Sequence, residues 1–256
     1  MNLKKASLLA LASIAIAGQS AKADTTTYTD GDLLLTFRQA GNSYDYLVDL
    51  GQASALPSSG STTFSIGSIS TDLSAIFGSN WYTATGSSKV YLGIIGSDAT
   101  NGNGYLYVGS PTSTAWNTLN GGITNTAFSN VSQVTGDYSN GSSTANSAVA
   151  LKEATAGSFS YASYQGPSGT NSGGISFAVW SPSTESAANS SVYLNTYALD
   201  SNGAGSSVAV PGSFSVDNSG VVTFQAVPEP STFALAFIGM GLAGYVGMKR
   251  RNMANA

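Results

Sequence analysis

The sequence contains no cysteine and no histidine, and these two absences exclude more chemistry than any motif adds. Without cysteine there is no disulfide, no thiolate nucleophile and no cysteine-held zinc or iron–sulfur centre. The lack of disulfides does not assign a compartment, because an exported bacterial chain with a sufficient core folds without them. Without histidine, Ser-His-Asp hydrolysis and nearly all catalytic zinc geometries are excluded. Charge is scarce too: 9% of the 256 residues are charged, with 9 Lys and Arg against 13 Asp and Glu. Only Arg38, Lys89 and Lys152 are basic between Asp24 and Ala226, a stretch that holds twelve of the acids. Such a body has no cationic surface on which to follow phosphates, so nucleic acid is not an expected partner. No cofactor is expected either.

What is present is clearest at the two ends. Lys4 and Lys5 precede an apolar run from Leu8 to Ala17, and Ala21-Lys22-Ala23 closes the segment with small residues at both cleavage subsites. This charge order and exit are those of a secretory signal over residues 1–23, read by the Sec machinery and signal peptidase, with Asp24 as the first mature residue. At the other end, Pro228-Glu229-Pro230 is followed by an uncharged apolar run from Phe233 to Met248 and then by Lys249-Arg250-Arg251. As a helix this run is about 24 Å long at ~1.5 Å per residue, against a hydrocarbon core of ~30 Å. The expectation is a marginal single membrane helix over 233–248 with a short cytoplasmic end at 252–256, since the basic triplet predicts the inside. Gly239 to Gly244 also spells a G-x-G-x-x-G pattern, but no soluble strand precedes it and no acid follows it, so a dinucleotide site is not expected.

In this order of three unlike elements, residues 227–251 resemble the PEP-CTERM sorting tail of exosortase substrates. The resemblance implies export, a transient inner-membrane anchor, and recognition near Pro228-Glu229-Pro230 by an exosortase. It further implies delivery to the cell surface or extracellular matrix of a Gram-negative bacterium, often beside exopolysaccharide. Gly31 to Phe37, Tyr46 to Gly51 and Asp72 to Tyr82 resemble segments of poorly characterised PEP-CTERM proteins of Verrucomicrobia-like bacteria. That second resemblance carries no activity.

The body, residues 24–226, is rich in Ser, Thr, Gly and Asn, with apolar residues in short bursts. Leu33 to Phe37, Tyr44 to Leu50, Val90 to Ile95, Tyr105 to Val108, Ile175 to Trp180 and Val192 to Leu199 read as strands. They are β-branched or aromatic-rich and are bounded by turn formers. Ser158 to Tyr161 alternates in the same way. Asp217-Asn-Ser-Gly220 reads as a hairpin loop between Phe214–Val216 and Val221–Phe224. Helices are expected only at Asp72 to Phe77 and Asn146 to Ala156. The expected fold is an all-β sandwich or jelly-roll with one or two short helices.

Chemistry in such a chain has to come from carboxylates, Tyr, Lys or the backbone. A glycoside hydrolase needs two convergent carboxyls; Glu153 and Glu185 are the glutamates of the body, with Asp45, Asp98 and Asp137 as possible partners. The Asp30-Gly-Asp32 pair reads better as a turn with solvated acids than as a calcium loop. Trp81, Tyr82 and Trp116 adjoin turn-like segments and are the residues best suited to stack on sugar rings. The leading expectation is a non-enzymatic structural or adhesive surface protein. A carbohydrate-binding module is the alternative, and a carboxylate hydrolase comes third.

Overall fold

The computed structural model describes residues 28–42, 44–64, 66, 69–99, 104–113, 121–140, 150–154, 161–165, 184–199 and 205–227. In chain order these form β1 (Asp32–Gln39), β2 (Tyr44–Gln52), β3 (Ser61–Phe64), α1 (Ile69–Phe77), β4 (Val90–Asp98), β5 (Tyr105–Ser110) and α2 (Gly121–Asn140). There follow β6 (Ala150–Ala154), β7 (Glu185–Ala187), β8 (Val192–Leu199), β9 (Gly205–Val216) and β10 (Val222–Ala226), with a 3-10 turn at Tyr161–Tyr164.

The strands make one sheet of ten, in the order β3-β10-β9-β8-β5-β4-β1-β2-β6, with β7 also paired to β4. This corrects the expected sandwich or jelly-roll: the ladder runs unbroken through antiparallel neighbours instead of dividing into two stacked sheets. The alternative to stacking is to curl. Tyr46 and Val48 of β2, Phe64 of β3 and Phe224 of β10 all belong to one buried cluster with Leu73 and Phe77 of α1 and with Trp81. Strands near both ends of the path therefore share one interior, and the sheet wraps around α1 as a half-barrel. The Tyr46 hydroxyl fixes that helix by donating to Asp72 Oδ2 at 2.8 Å.

The outer face is covered as well. Leu34, Leu47, Ile95, Val108 and Tyr197 pack against Ala127, Val131, Val134 and Tyr138 of α2 and against Tyr161 and Tyr164. Burial on both faces explains the uninterrupted Leu33-Leu34-Leu35 run, since a strand covered on both sides has no polar side to alternate with. Leu33 and Leu35 face inward and Leu34 outward, and all three are fully buried.

The helix expected at Asn146 to Ala156 is corrected where the chain is described, at Ala150–Ala154, which form a strand. Residues Ala150–Ala154 lie along β2, Leu47 opposite Leu151 and Tyr46 opposite Lys152. Ala, Leu, Lys and Glu are good helix formers, but intrinsic propensity is a small term and an available ladder overrides it. Tyr161, expected to end a strand, begins a 3-10 turn. The expected strand at Ile175 to Trp180 lies outside the described residues. The Asp217–Gly220 loop does join β9 to β10: Gly220 has φ +83°, and Asp217 Oδ1 accepts the N–H groups of Ser219 and Val221 at 2.8 and 2.9 Å.

The expected membrane helix is also corrected. Among the described residues no helix is long and apolar enough to cross a membrane. Residues 233–248 lie outside that set, and on length alone an apolar run of about 24 Å falls short of a core of ~30 Å. Among the described residues, then, no membrane-spanning helix supports a transient inner-membrane anchor. The secretory signal, residues 1–23, also lies outside the described residues.

Candidate functional site

Polar side chains are concentrated on the outer face where β4 is flanked by β1 on one side and β7 on the other. Thr36 and Glu185 are both registered with Gly93, and Arg38 is registered with Tyr91 on β4 and Asp45 on β2. Arg38 reaches across β4 to Glu185. Its Nε lies 2.8 Å from Oε1 and its Nη2 2.5 Å from Oε2, a two-point contact. The guanidinium also lies 4.7 Å from the centroid of the Tyr91 ring. Burial opposes the charge on Arg38, but the Glu185 carboxylate beside it more than offsets this and holds the guanidinium above its ordinary range.

The 3-10 turn Tyr161–Tyr164 closes over this crossing. A Cβ built on Gly93 would collide with the Tyr161 hydroxyl and would lie 2.7 Å from Thr36 Oγ1, so the turn seats in the space that glycine leaves. Burial raises the Tyr161 phenol well above its usual value, and Glu185 adds to this. Asp45, fully buried, receives the Ala162 N–H on Oδ2 at 2.7 Å; its Oδ1 has no hydrogen-bond partner among the described residues. Burial pushes the Asp45 carboxyl up to about 7, against the lowering effects of the Ala162 N–H and of Arg38. At the end of the same turn, Gln165 accepts a 2.7 Å hydrogen bond on Oε1 from the hydroxyl of Thr184, the residue before Glu185.

A second acidic group lies at the start of β1. Asp32 is buried rather than solvated, which corrects the sequence expectation: its Oδ2 accepts the Thr29 N–H at 2.7 Å and its Oδ1 the Gln52 side-chain amide at 2.6 Å. Asp30 accepts from the Ala99 N–H at 2.8 Å. Asp49 accepts from the Gly51 N–H at 2.7 Å, and burial, with the charge of Asp32 adding to it, raises its carboxyl to about 7. Among the described residues no group of three or more acids is placed to hold a metal ion.

The residues singled out from sequence are distributed unevenly. Trp81 is 1% exposed and meets Phe37 edge-on at 6.3 Å and Tyr82 at 5.4 Å. It has no face to offer a sugar, and the half-buried Tyr82 packs against the same core. Trp116 lies outside the described residues, as do Ala21, Ala23, Asp24, Pro228, Glu229, Pro230, Lys249, Arg250 and Arg251. Of the carboxylates, the fold brings Asp45 and Glu185 to the same buried cluster, around Arg38, and leaves Glu153 on the β6 ladder opposite Asp45. Glu185 is bonded through both oxygens to a cation and is not poised as a free acid. Sequence reasoning overlooked Arg38, Tyr161, Gln165 and Thr184; the one available signal was that Arg38 is among only three basic residues of the body.

Beyond the last strand, Ala226 ends β10 and the Pro-Glu-Pro segment begins two residues later. Residues 226–251 match the PEP-CTERM protein-sorting motif. The PEP-CTERM match covers a small part of the chain and identifies its tail, not its body. Among curated proteins and among solved structures, none matches this chain.

Proposed function

We propose that this is an exported protein delivered to the cell surface or extracellular matrix by an exosortase acting at Pro228-Glu229-Pro230, with a body that is structural or adhesive and not catalytic. The observation that carries the reading is the PEP-CTERM motif at residues 226–251, starting where β10 ends. Export through Sec and signal peptidase rests on the Lys4-Lys5 start and the Ala21-Lys22-Ala23 exit. The body belongs, on this reading, to the module resembled in Verrucomicrobia-like bacteria, and association with exopolysaccharide follows from the sorting route alone. Non-catalytic function is favoured by the absence of histidine and cysteine and by the way Arg38 occupies Glu185. A sugar-binding reading is weaker, because Trp81 is enclosed in the core.

The test is fractionation and intact-mass measurement in a host with and without its exosortase, for the natural chain and for a variant with Pro228, Glu229 and Pro230 replaced by Ala. The expected result is a surface or matrix form that starts at Asp24, which both the gene deletion and the variant keep inside the cell. Equal surface delivery in all of these backgrounds would overturn the proposal.

A further inference from the structure

We propose that Thr184 and Gln165 form an intramolecular ester cross-link, made by the folded chain without another enzyme. Both side chains are buried, and the Thr184 hydroxyl oxygen lies 2.7 Å from Gln165 Oε1. With a C=O bond of about 1.23 Å, that oxygen lies no more than about 3.9 Å from the amide carbon. A side-chain rotation is enough to bring it to the ~3–3.5 Å from which attack on a carbonyl proceeds. The pair is held from both sides. Gln165 closes the 3-10 turn through its N–H to the Ala162 carbonyl at 3.1 Å, and the next N–H to be fixed in that turn is the one Asp45 accepts from Ala162. Thr184 leads directly into β7, which is bound to β4 by its ladder and to β1 by the Arg38–Glu185 contact.

The Gln165 amide also has a reason to react. Its Nε2 is buried with no hydrogen-bond partner among the described residues, so two donors are stripped of water without a replacement there. In the reaction, Thr184 Oγ1 bonds to Gln165 Cδ, the Cδ–Nε2 bond breaks, and the hydroxyl proton leaves with the nitrogen as ammonia. The atoms balance without oxidant or co-reactant, and the unsatisfied amide N–H groups are gone from the product. The link would close a loop between positions 19 apart in sequence, restricting the unfolded chain as a disulfide does. The chain has no cysteine with which to make one. This inference concerns the body and stands or falls separately from the sorting route.

The test is intact-mass and peptide analysis of the folded natural protein, digested with chymotrypsin because no Lys or Arg lies between Lys152 and Lys249. The expected product is lighter than its sequence by one ammonia, and the peptide containing Gln165 is joined to the one containing Thr184. Hydroxylamine should separate them and leave a hydroxamate at position 165. Thr184→Val should abolish the link, whereas Thr184→Ser should retain it. Linear peptides at full sequence mass from the folded natural protein would overturn the proposal. So would an ammonia loss that persists in Thr184→Val, which would place the chemistry at an Asn-Gly step instead.

Discussion

Arg38 and Glu185 meet across a strand to which neither belongs. They sit on β1 and β7, on either side of β4, and join across it. The pair makes the outer face a fastened surface, because the strand carrying Glu185 is only three residues long and gains little from its own ladder. Removing Arg38 alone leaves a carboxylate buried without a counter-charge, a change that costs about 3–5 kcal/mol. Arg38→Met is therefore expected to lower the urea midpoint sharply, and adding Glu185→Met is expected to recover much of the loss. If the double variant is as unstable as the single one, the pair matters for packing and not for charge.

Gly93 supplies a second expectation. Gly93→Ala places a methyl group against the Tyr161 hydroxyl and Thr36 Oγ1, and overpacking of this kind costs about 1–3 kcal/mol. Removing the obstructing atom should relieve it, so Tyr161→Phe is expected to be less harmful, or even helpful, when Gly93→Ala is already present. A double-mutant cycle by chemical denaturation gives the coupling directly. Strict additivity would show that the Tyr161 turn does not rest on this glycine.

Asp45 and Asp49 set an expected pH dependence. Both carboxyls are raised to about 7 in the folded chain, against an unfolded value of ~3.9. Between those values the folded state holds more protons than the unfolded state, so stability falls as pH rises. The cost is absent below about pH 4 and complete above about pH 7. Asp45→Asn should be more stable than the natural chain at neutral pH, with the advantage disappearing toward pH ~4. Melting temperatures of the two proteins across this range provide the check, and a constant difference would refute the buried-carboxyl origin.

Trp81→Ala is expected to destabilise the body by about 3–5 kcal/mol, as for a large aromatic removed from a core. Trp81→Phe should cost less. A sugar-stacking tryptophan would behave differently, with unchanged unfolding and lost retention on polysaccharide. The unfolding midpoint distinguishes the two.

Much of the sheet was legible because its strands announce themselves by composition: β1, β2, β4, β5 and β8 each cover a short β-branched or aromatic run. The single curled sheet was not legible, because a run such as Leu33-Leu34-Leu35 reveals burial on two faces but not what covers them. Helix α2 was hidden by weak helix formers, Gly, Thr, Asn and Ser, although Ala127, Val131, Val134 and Tyr138 fall at the 4-3-4 spacing of one buried face. The polar cluster was out of reach for a different reason. Arg38, Asp45, Tyr161 and Glu185 are brought together by pairings between strands distant in sequence and by the absence of a side chain at Gly93, and neither leaves a mark in local pattern. The sorting motif of the tail was legible, since it resides in linear order and needs no fold.

The position of β10 has a mechanical consequence. Any tension that reaches the body from the tail arrives first at Ala226 and Val227. Their N–H groups are bonded to the carbonyls of Gly60 at 2.9 Å and Pro211 at 3.0 Å, on the two neighbouring sides of the strand. β10 lies between β9 and β3, so a pull at this point is divided between two ladders instead of peeling one free edge. The body is gripped by its tail at a seam and not at a loose end.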